Sequence, residues 1–150
     1  MTIHIREATP SDGALIHRFI VELAEYEKAV EEVQSTPDIL SSQLAEATPS
    51  FRCLIASIDD EPVGFALFFY SYSTWRAKRG VWLEDLYVRA DSRGQGVGSR
   101  LFDAVQLEAI QHHAGRLEWP VLEWNTDAHD FYRKKGAQPL SDWRTWRISL

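Results

Sequence analysis

The chain has 150 residues, the length of one ordinary domain, and we predict a single domain over residues 1–150. Its 45% hydrophobic and 25% charged residues can form both a core and a hydrated surface, and no apolar run is long enough to cross a membrane. The net charge of −6 disfavours nucleic-acid binding and favours small cationic partners. The only cysteine, Cys53, excludes an internal disulfide, and together with the lack of an apolar signal segment this predicts a cytoplasmic protein.

Apolar spacing, capping residues and turn residues predict ten elements along the chain. In chain order they are a strand at residues 3–6, a helix that starts at 9–12 and ends at 26, a short helix at 36–44, strands at 51–58, 63–72 and 82–88, a helix with its apolar face at 101–109, a strand at 117–124 interrupted by Pro120, a short helix at 127–135 and a closing strand at 143–149. A turn at 59–62 joins two of the strands into a hairpin. Because hairpins alternate with helical crossovers, this order predicts an α/β (α+β) fold with a mixed sheet and helices on both faces.

A glycine-rich turn connects the strand at 82–88 to the helix that follows it. The segment reads Arg93-Gly94-Gln95-Gly96-Val97-Gly98-Ser99. Glycines let backbone N–H groups approach a ligand closely, and the first turn of a helix adds unpaired N–H donors and a positive dipole end. Arg93 supplies a full positive charge beside them. The segment therefore predicts a phosphate or pyrophosphate site.

The spacing of the glycines separates the known kinds of phosphate loop. A P-loop needs a lysine before its Ser or Thr, whereas Gly98 directly precedes Ser99. A dinucleotide fingerprint needs a third glycine where Ser99 stands. The remaining pattern, Arg-Gly-x-Gly-x-Gly, resembles the acetyl-CoA pyrophosphate loop of the GNAT superfamily of N-acetyltransferases. The alternative is a loop that serves only as a tight turn.

A second motif supports the same resemblance. Glu123-Trp124-Asn125 followed by Phe131-Tyr132 is similar to the stretch that follows the pyrophosphate loop in that superfamily. More closely, the whole chain resembles the spermidine/spermine (diamine) and thialysine N-acetyltransferases, a subgroup indicated by the pairs Tyr26-Glu27 and Glu84-Asp85. The resemblance implies the acetyltransferase fold, acetyl-CoA as co-substrate and a homodimer paired through C-terminal strands, where Trp143, Trp146 and Ile148 supply apolar groups.

The resemblance also implies the roles of particular residues. Tyr132 is the candidate general acid, because a phenol can protonate a leaving thiolate, and its alternative is a core aromatic. If the strand is regular, alternation places Glu84 on the opposite face from Leu83 and Asp85. Glu84 would accept the amine proton through water or bind the ammonium, and its alternative is a structural carboxylate. The expected acceptor-binding residues are Tyr26, Glu27, Glu84 and Asp85, and the expected acetyl-CoA-binding residues are Leu86, Tyr87, Val88, Arg93, Gly94, Gln95, Gly96, Val97, Gly98, Ser99 and Asn125.

The predicted function is acetyl-CoA-dependent transfer of an acetyl group to a primary amine of a small cation. Because acidic residues outnumber basic ones by six, a polyamine or diamine is favoured. A thialysine-like amino acid is the alternative, although its carboxylate would need a basic partner that the sequence does not assign. Further alternatives are a protein amine and a non-catalytic acyl-CoA sensor on the same fold. The five histidines show no metal spacing, so no metal is predicted.

Overall fold

The computed structural model describes residues 1–150. Its elements are β1 (Ile3–Glu7), α1 (Gly13–Tyr26), α2 (Pro37–Leu44), β2 (Arg52–Ile58), β3 (Glu61–Ser73), β4 (Lys78–Val88), α3 (Val97–Gln111), β5 (Leu117–Glu118) and α4 (Thr126–Lys134), with single helical turns at Pro10–Asp12, Val30–Glu32 and Ala90–Ser92. The chain divides into two compact units, residues 1–119 and 120–150. No helix is long and apolar enough to cross a membrane.

The first unit contains a five-stranded sheet in the order β1-β2-β3-β4-β5. The first four strands pair antiparallel, and β5 pairs parallel to β4. The predicted hairpin turn covers residues 59–62, whereas the observed turn has two residues. These are Asp59 and Asp60, which both have positive φ angles, and β3 begins at Glu61. The mixed sheet that the sequence predicts is confirmed.

Alternation along the strands sends apolar side chains to both faces of this sheet. One face packs on α1 and α2, in a core formed by Ile16, Phe19, Leu40, Cys53, Ile55, Phe65, Leu67 and Tyr87. The other face lies under α3, where Arg52 of β2 pairs with Glu108 at 2.7 Å. Helices on both faces are therefore confirmed. Burial raises the pKa of the Cys53 thiol, which fits its expected place as an inert core residue.

The second unit contains α4 and extended chain. The Asn125 side chain caps α4 by accepting from the Ala128 N–H at 3.4 Å. The helix ends before Gly136, whose φ of 88° is the left-handed conformation that favours glycine after a helix.

Two predicted strands are wrong in this part of the chain. The strand at 117–124 stops at Glu118, because Pro120 lacks an N–H and constrains the residue before it. The closing strand at 143–149 does not form, although its residues alternate. Strand propensity is realised only against a partner strand, and residues 120–150 contain none.

Candidate active site

An irregularity in β4 determines which carboxylate faces which side of the sheet. The ladder pairs Leu67 with Asp85 and Phe68 with Leu83, so Glu84 has no partner on β3. Such a bulge breaks the alternation. Since paired residues share a face, Leu83 faces the α3 side with Phe68, and Asp85 faces the α1 side with Leu67. The regular alternation considered from the sequence, with Leu83 and Asp85 on one face, is therefore wrong.

Asp85 is half-buried and is the less exposed carboxylate of this strand, whereas Glu84 is exposed. Burial, followed by the negative charges of Glu84 and Glu27, raises the pKa of Asp85 to about 7. Glu84 is exposed, and one of its oxygens accepts from Trp82 Nε1 at 3.0 Å. Asp85 thus changes charge close to neutral pH, whereas Glu84 is held at the surface by its neighbour.

A third carboxylate reaches the same place from α1. Glu27 caps the C-terminal end of this helix, and burial raises the pKa of its side chain. Its charge acts on Asp85, so Glu27, Glu84 and Asp85 form one acidic cluster. Like charges so placed repel one another, and a bound cation relieves the repulsion. Tyr26, which precedes Glu27, is 38% exposed beside the cluster.

Tyr87 lies on the same face but points into the core. Its hydroxyl donates to Glu22 Oε1 at 3.0 Å, and Glu22 also contacts Arg89 Nε at 3.4 Å. Burial and the hydrogen bond to Glu22 raise the pKa of Tyr87 to about 12, so the phenol stays neutral. The Tyr87 hydroxyl is thereby engaged with Glu22, so Tyr87 can contact a co-substrate only through its backbone.

The glycine-rich turn has the backbone geometry expected of an anion site. Gly94 and Gly96 have φ angles of 76° and 87°, and Gly96 is the N-cap of α3. The first N–H groups of α3 have no partner within the helix and point out of its N-terminal end. Val97 is buried, so it contributes its backbone rather than its side chain.

The end of β4 nearest this turn has one open edge in the sheet. β5 pairs only with Val81 and Trp82, so residues 83–88 have β3 as their one strand partner. Leu86 and Val88 lie in this segment. Backbone groups on an open edge can pair with an extended amide-containing ligand as a second strand would.

The Arg93 side chain takes a direction that the sequence does not reveal. Its Nε donates to the Val88 carbonyl at 2.8 Å. Its guanidinium carbon lies 5.0 Å from the ring centre of Tyr26 and 5.7 Å from that of Tyr87. The positive group therefore lies against the C-terminal end of α1, where Tyr26 stands.

Comparison with known proteins agrees with this geometry. The sequence model of the Acetyltransferase (GNAT) family matches residues 17–137. The chain belongs to this family. It is 39% identical to the thialysine N-epsilon-acetyltransferase of Bos taurus over 96% of this chain and 89% of that protein. It is 27% identical to an L-ornithine N5-acetyltransferase of Arabidopsis thaliana, over 99% of this chain and 85% of the relative. An integron cassette protein of V. cholerae shares the fold, with a TM-score of 0.81 at 23% identity over 99% of this chain and 93% of the other.

Membership of the GNAT family defines the donor and the reaction class. The protein is an acetyltransferase, and the family uses acetyl-CoA as its co-substrate. The glycine-rich turn and the open edge of β4 fit a donor that carries a pyrophosphate and an amide-containing arm. No group of three or more His, Cys, Asp and Glu side chains is arranged to hold a metal ion.

The remaining candidate residues of this acetyltransferase lie in α4 and at its start. The rings of Phe131 and Tyr132 meet edge to face with centres 5.2 Å apart. The side-chain oxygen of Asn125 accepts a hydrogen bond from the Ala128 N–H and so caps the start of α4. The catalytic role of Tyr132 and the binding role of Asn125 stay predictions.

Proposed function

We propose that this protein transfers the acetyl group of acetyl-CoA to the side-chain amine of a thialysine-like amino acid. The observation that carries the proposal is the cluster of Glu27, Glu84 and Asp85 beside the open edge of β4. Two half-buried carboxylates, Glu27 and Asp85, with the exposed Glu84 beside them favour a bound ammonium group. The names of the bovine and Arabidopsis relatives, a thialysine and an ornithine acetyltransferase, support an amino acid with a terminal amine as acceptor.

The donor is proposed to bind along the glycine-rich turn and β4. The N–H groups of Gly94–Ser99 would bind the pyrophosphate, and the backbone of Leu86 and Val88 would pair with the pantetheine arm. Asn125 would add a hydrogen bond to the same arm. A backbone N–H of β4 near Val88 would stabilise the negative charge that develops on the thioester oxygen during attack.

The acceptor amine must lose a proton before it can attack, because an ammonium ion with a pKa of about 10 has no free electron pair. Asp85 would bind the ammonium, and Glu84 would take the proton through a water molecule. The neutral nitrogen then bonds to the thioester carbon and loses a second proton to solvent water, and the carbon–sulfur bond breaks. Tyr132 would give its proton to the departing thiolate and recover one from solvent. Orientation of both substrates in one site supplies a further part of the acceleration.

A polyamine or diamine is the second candidate acceptor. The same acidic cluster and the net charge of −6 favour it, since one ammonium can anchor while the other amine reacts. It differs from a thialysine-like acceptor in having no carboxylate. A positive side chain near the cluster would therefore favour a thialysine-like acceptor and disfavour a polyamine.

An acceptor panel tests the proposal. Free thiol released from acetyl-CoA is measured with thialysine, ornithine, spermidine and a lysine-containing peptide, against a control without acceptor. We expect the highest kcat/KM with thialysine or ornithine. A clear preference for spermidine would replace this proposal with the polyamine function, and a preference for the peptide would replace it with protein acetylation. Tight binding of acetyl-CoA without thiol release on any amine would indicate a sensor.

We also propose that residues 1–150 act as one acetyltransferase domain and that the protein forms a homodimer. Exposed apolar side chains near the C-terminal end support the homodimer, since Trp143 is 68% exposed, Trp146 91% and Ile148 86%. Large apolar groups grouped at a surface are typical of a contact with another protein.

A further inference from the structure

We infer that Glu22 is a positioning residue of this acetyltransferase. Its carboxylate holds the C-terminal half of α1 at a fixed place along β4 and so keeps Glu27 beside Asp85. The inference rests on the proposed function, because it concerns the cluster that would receive the acceptor amine, and it applies to both candidate acceptors. Glu22 itself belongs neither to that cluster nor to the glycine-rich turn.

One carboxylate oxygen of Glu22 makes two contacts at the end of β4. Glu22 Oε1 accepts a hydrogen bond from the Tyr87 hydroxyl at 3.0 Å and lies 3.4 Å from Arg89 Nε. The side chains of Glu22 and Arg89 are only 24% and 33% exposed, so water and salt screen their attraction incompletely. Hydrogen bonds to an ionised acceptor are stronger than those between neutral groups. Glu22 thus connects α1 to the strand that carries Asp85.

The C-terminal half of α1 has few other anchors on the sheet. The buried residues of α1 all lie in its first half, and they are Gly13, Ile16 and Phe19. After these, Ile20 and Leu23 are only half-buried, and Tyr26 at the end of the helix is exposed. Burial of apolar side chains therefore fixes the first half of α1 on the sheet, whereas its last turn depends more on polar contacts such as that of Glu22.

The spacing of residues along the two elements shows what this contact determines. Tyr87 contacts Glu22, and the charge of Glu27 acts on Asp85, so the helix and the strand run in opposite directions here. Asp85 and Tyr87 are two residues apart, and Glu22 and Glu27 are five residues apart. These separations correspond to about 7 Å along a strand and about 7.5 Å along a helix. Because the two lengths agree, the Glu22–Tyr87 hydrogen bond places Glu27 level with Asp85.

The strand side of the contact is fixed independently of Glu22. Tyr87 pairs with Phe65 in the ladder between β3 and β4, and its ring centre lies 6.2 Å from that of Phe19. Burial and the hydrogen bond to Glu22 raise the pKa of Tyr87 to about 12, so its hydroxyl remains a donor at neutral pH. Loss of the contact should therefore displace the end of α1 and the acceptor side of the site, and leave the donor side on β4 in place.

The central test removes the hydrogen bond without changing any charge. Tyr87→Phe deletes the donor and keeps the ring. Glu22→Ala deletes the acceptor together with its charge, whereas Glu22→Gln retains a side-chain oxygen that can accept. Glu27→Gln, alone and combined with Tyr87→Phe, tests whether the contact acts through Glu27. Thermal melts show whether each variant is folded, and each is assayed with the amine that the wild type prefers.

Two control variants match these changes. Tyr70→Phe removes a half-buried hydroxyl that accepts from Arg52 at 3.3 Å on the α3 side of the sheet. Glu25→Ala removes an exposed carboxylate from the same helix, between Glu22 and Glu27. Neither residue takes part in the Glu22–Tyr87 contact, so both variants should keep kcat/KM for the acceptor within about twofold of the wild type.

We expect Tyr87→Phe to lower kcat/KM for the acceptor roughly three- to tenfold, because a small displacement of a binding group lowers the rate of a reaction that depends on orientation. The acetyl-CoA dissociation constant, measured by calorimetry, should change less than about twofold. Glu22→Ala should lose at least as much as Tyr87→Phe, and Glu22→Gln should recover part of that loss. In the Glu27→Gln background, Tyr87→Phe should cause no further loss.

An NMR titration of the Asp85 side chain measures the same effect without turnover. The charge of Glu27 is one of the causes that raise the pKa of Asp85 to about 7. If the contact keeps Glu27 beside Asp85, Tyr87→Phe and Glu27→Gln should both lower this pKa, whereas Tyr70→Phe should leave it unchanged.

Four results would each overturn the inference. The first two are an unchanged acceptor kcat/KM and an unchanged Asp85 pKa in folded Tyr87→Phe. The others are a Tyr87→Phe loss that is undiminished in the Glu27→Gln background, and a loss of acetyl-CoA affinity as large as the loss for the acceptor. Failure of the proposed function looks different, since the wild type would then release no thiol with any amine, and the titration of Asp85 would still decide whether Glu22 positions Glu27.

Discussion

Trp82 Nε1 donates a hydrogen bond of 3.0 Å to the carboxylate of Glu84, two residues further along the same strand. Glu84 is the residue that the ladder with β3 leaves unpaired. The indole therefore fixes the direction of a carboxylate that the sheet itself does not orient. This matters because an acid–base group contributes only when it is held within hydrogen-bond reach of the proton it moves.

The first prediction tests this orientation. Glu84→Gln should lower kcat by about 10²-fold if the carboxylate accepts the amine proton. Trp82→Phe keeps an aromatic side chain but removes the N–H donor, and we expect a smaller loss of kcat of roughly three- to tenfold. In the double variant the Trp82 change should add nothing to the loss from Glu84→Gln, because the group it orients is absent. Additive losses, measured in single-turnover assays, would mean that Trp82 acts independently of Glu84.

The second prediction concerns the pH dependence of stability. Burial is the main cause that raises the pKa of Asp85 to about 7, well above the 3.8 of an ordinary aspartate. The folded state therefore binds this proton more tightly than the unfolded chain does, and folding is favoured by the protonated form. The stabilisation is complete below pH 4 and is lost as the pH rises from about 4 to 7.

Asp85→Asn removes the titrating carboxyl group, so the fall in unfolding free energy between pH 4 and 7 that Asp85 causes should disappear. Relative to the variant, the wild type should lose on the order of 2–4 kcal/mol of unfolding free energy between pH 4 and 8, since one pKa unit corresponds to about 1.4 kcal/mol. Urea unfolding at both pH values measures the difference. The control is Asp142→Asn, an exposed aspartate in the second unit. Parallel pH profiles of the wild type and Asp85→Asn would contradict the prediction.

Local patterns in the sequence were sufficient to predict most of the fold and the position of the glycine-rich turn before α3. Alternation in β2 and β3, the capping Thr36 before α2 and the glycines around Gly96 each act through neighbours a few residues away. The irregularity at Glu84 depends instead on how β4 pairs with β3, and no spacing within β4 reveals it. For that reason the sequence could not identify Asp85 as the less exposed carboxylate of this strand.

The direction of Arg93 could not be predicted for a related reason. Its guanidinium lies over Tyr26 of α1, which is far from it in the sequence and comes near only when the sheet and helices pack. The predicted strand at 143–149 was wrong for the opposite reason. Its residues alternate as in a strand, but residues 120–150 contain no strand with which it could pair. Local patterns therefore predict elements well, and contacts between distant segments determine the site.

The third prediction is a dimer that depends on the exposed C-terminal tryptophans. Light scattering at micromolar concentration should give twice the mass of one chain, and Trp146→Asp should shift the mass towards the monomer, because a charge would replace a large apolar group. Trp75→Asp is the control, since Trp75 is 86% exposed but lies between β3 and β4. A monomer mass for the wild type would exclude the dimer under these conditions.

The fourth prediction concerns Tyr132. Tyr132→Phe removes only the hydroxyl and preserves the edge-to-face contact with Phe131, so the protein should fold normally. Because this hydroxyl is the proposed general acid, its removal should lower kcat by about 10²-fold with little change in the acetyl-CoA dissociation constant. Tyr72→Phe, at an exposed position of β3, controls for the loss of a tyrosine hydroxyl elsewhere. Turnover equal to the wild type, in an assay limited by chemistry, would make Tyr132 a packing residue.

The last prediction separates charge from backbone conformation in the donor turn. Gly96 has a φ of 87°, and a Cβ built on it would meet no atom within 4 Å. Gly96→Ala and Gly96→Asp therefore both pay the backbone cost of a left-handed residue, about 1–2 kcal/mol, without a clash inside the protein. Only the aspartate adds a negative charge at the N-terminal end of α3, where the pyrophosphate of acetyl-CoA is proposed to bind. Isothermal titration calorimetry should show a loss of acetyl-CoA affinity at least tenfold greater for Gly96→Asp than for Gly96→Ala, and the difference should shrink at high salt. Equal affinities of the two folded variants would mean that the pyrophosphate does not bind at this helix end.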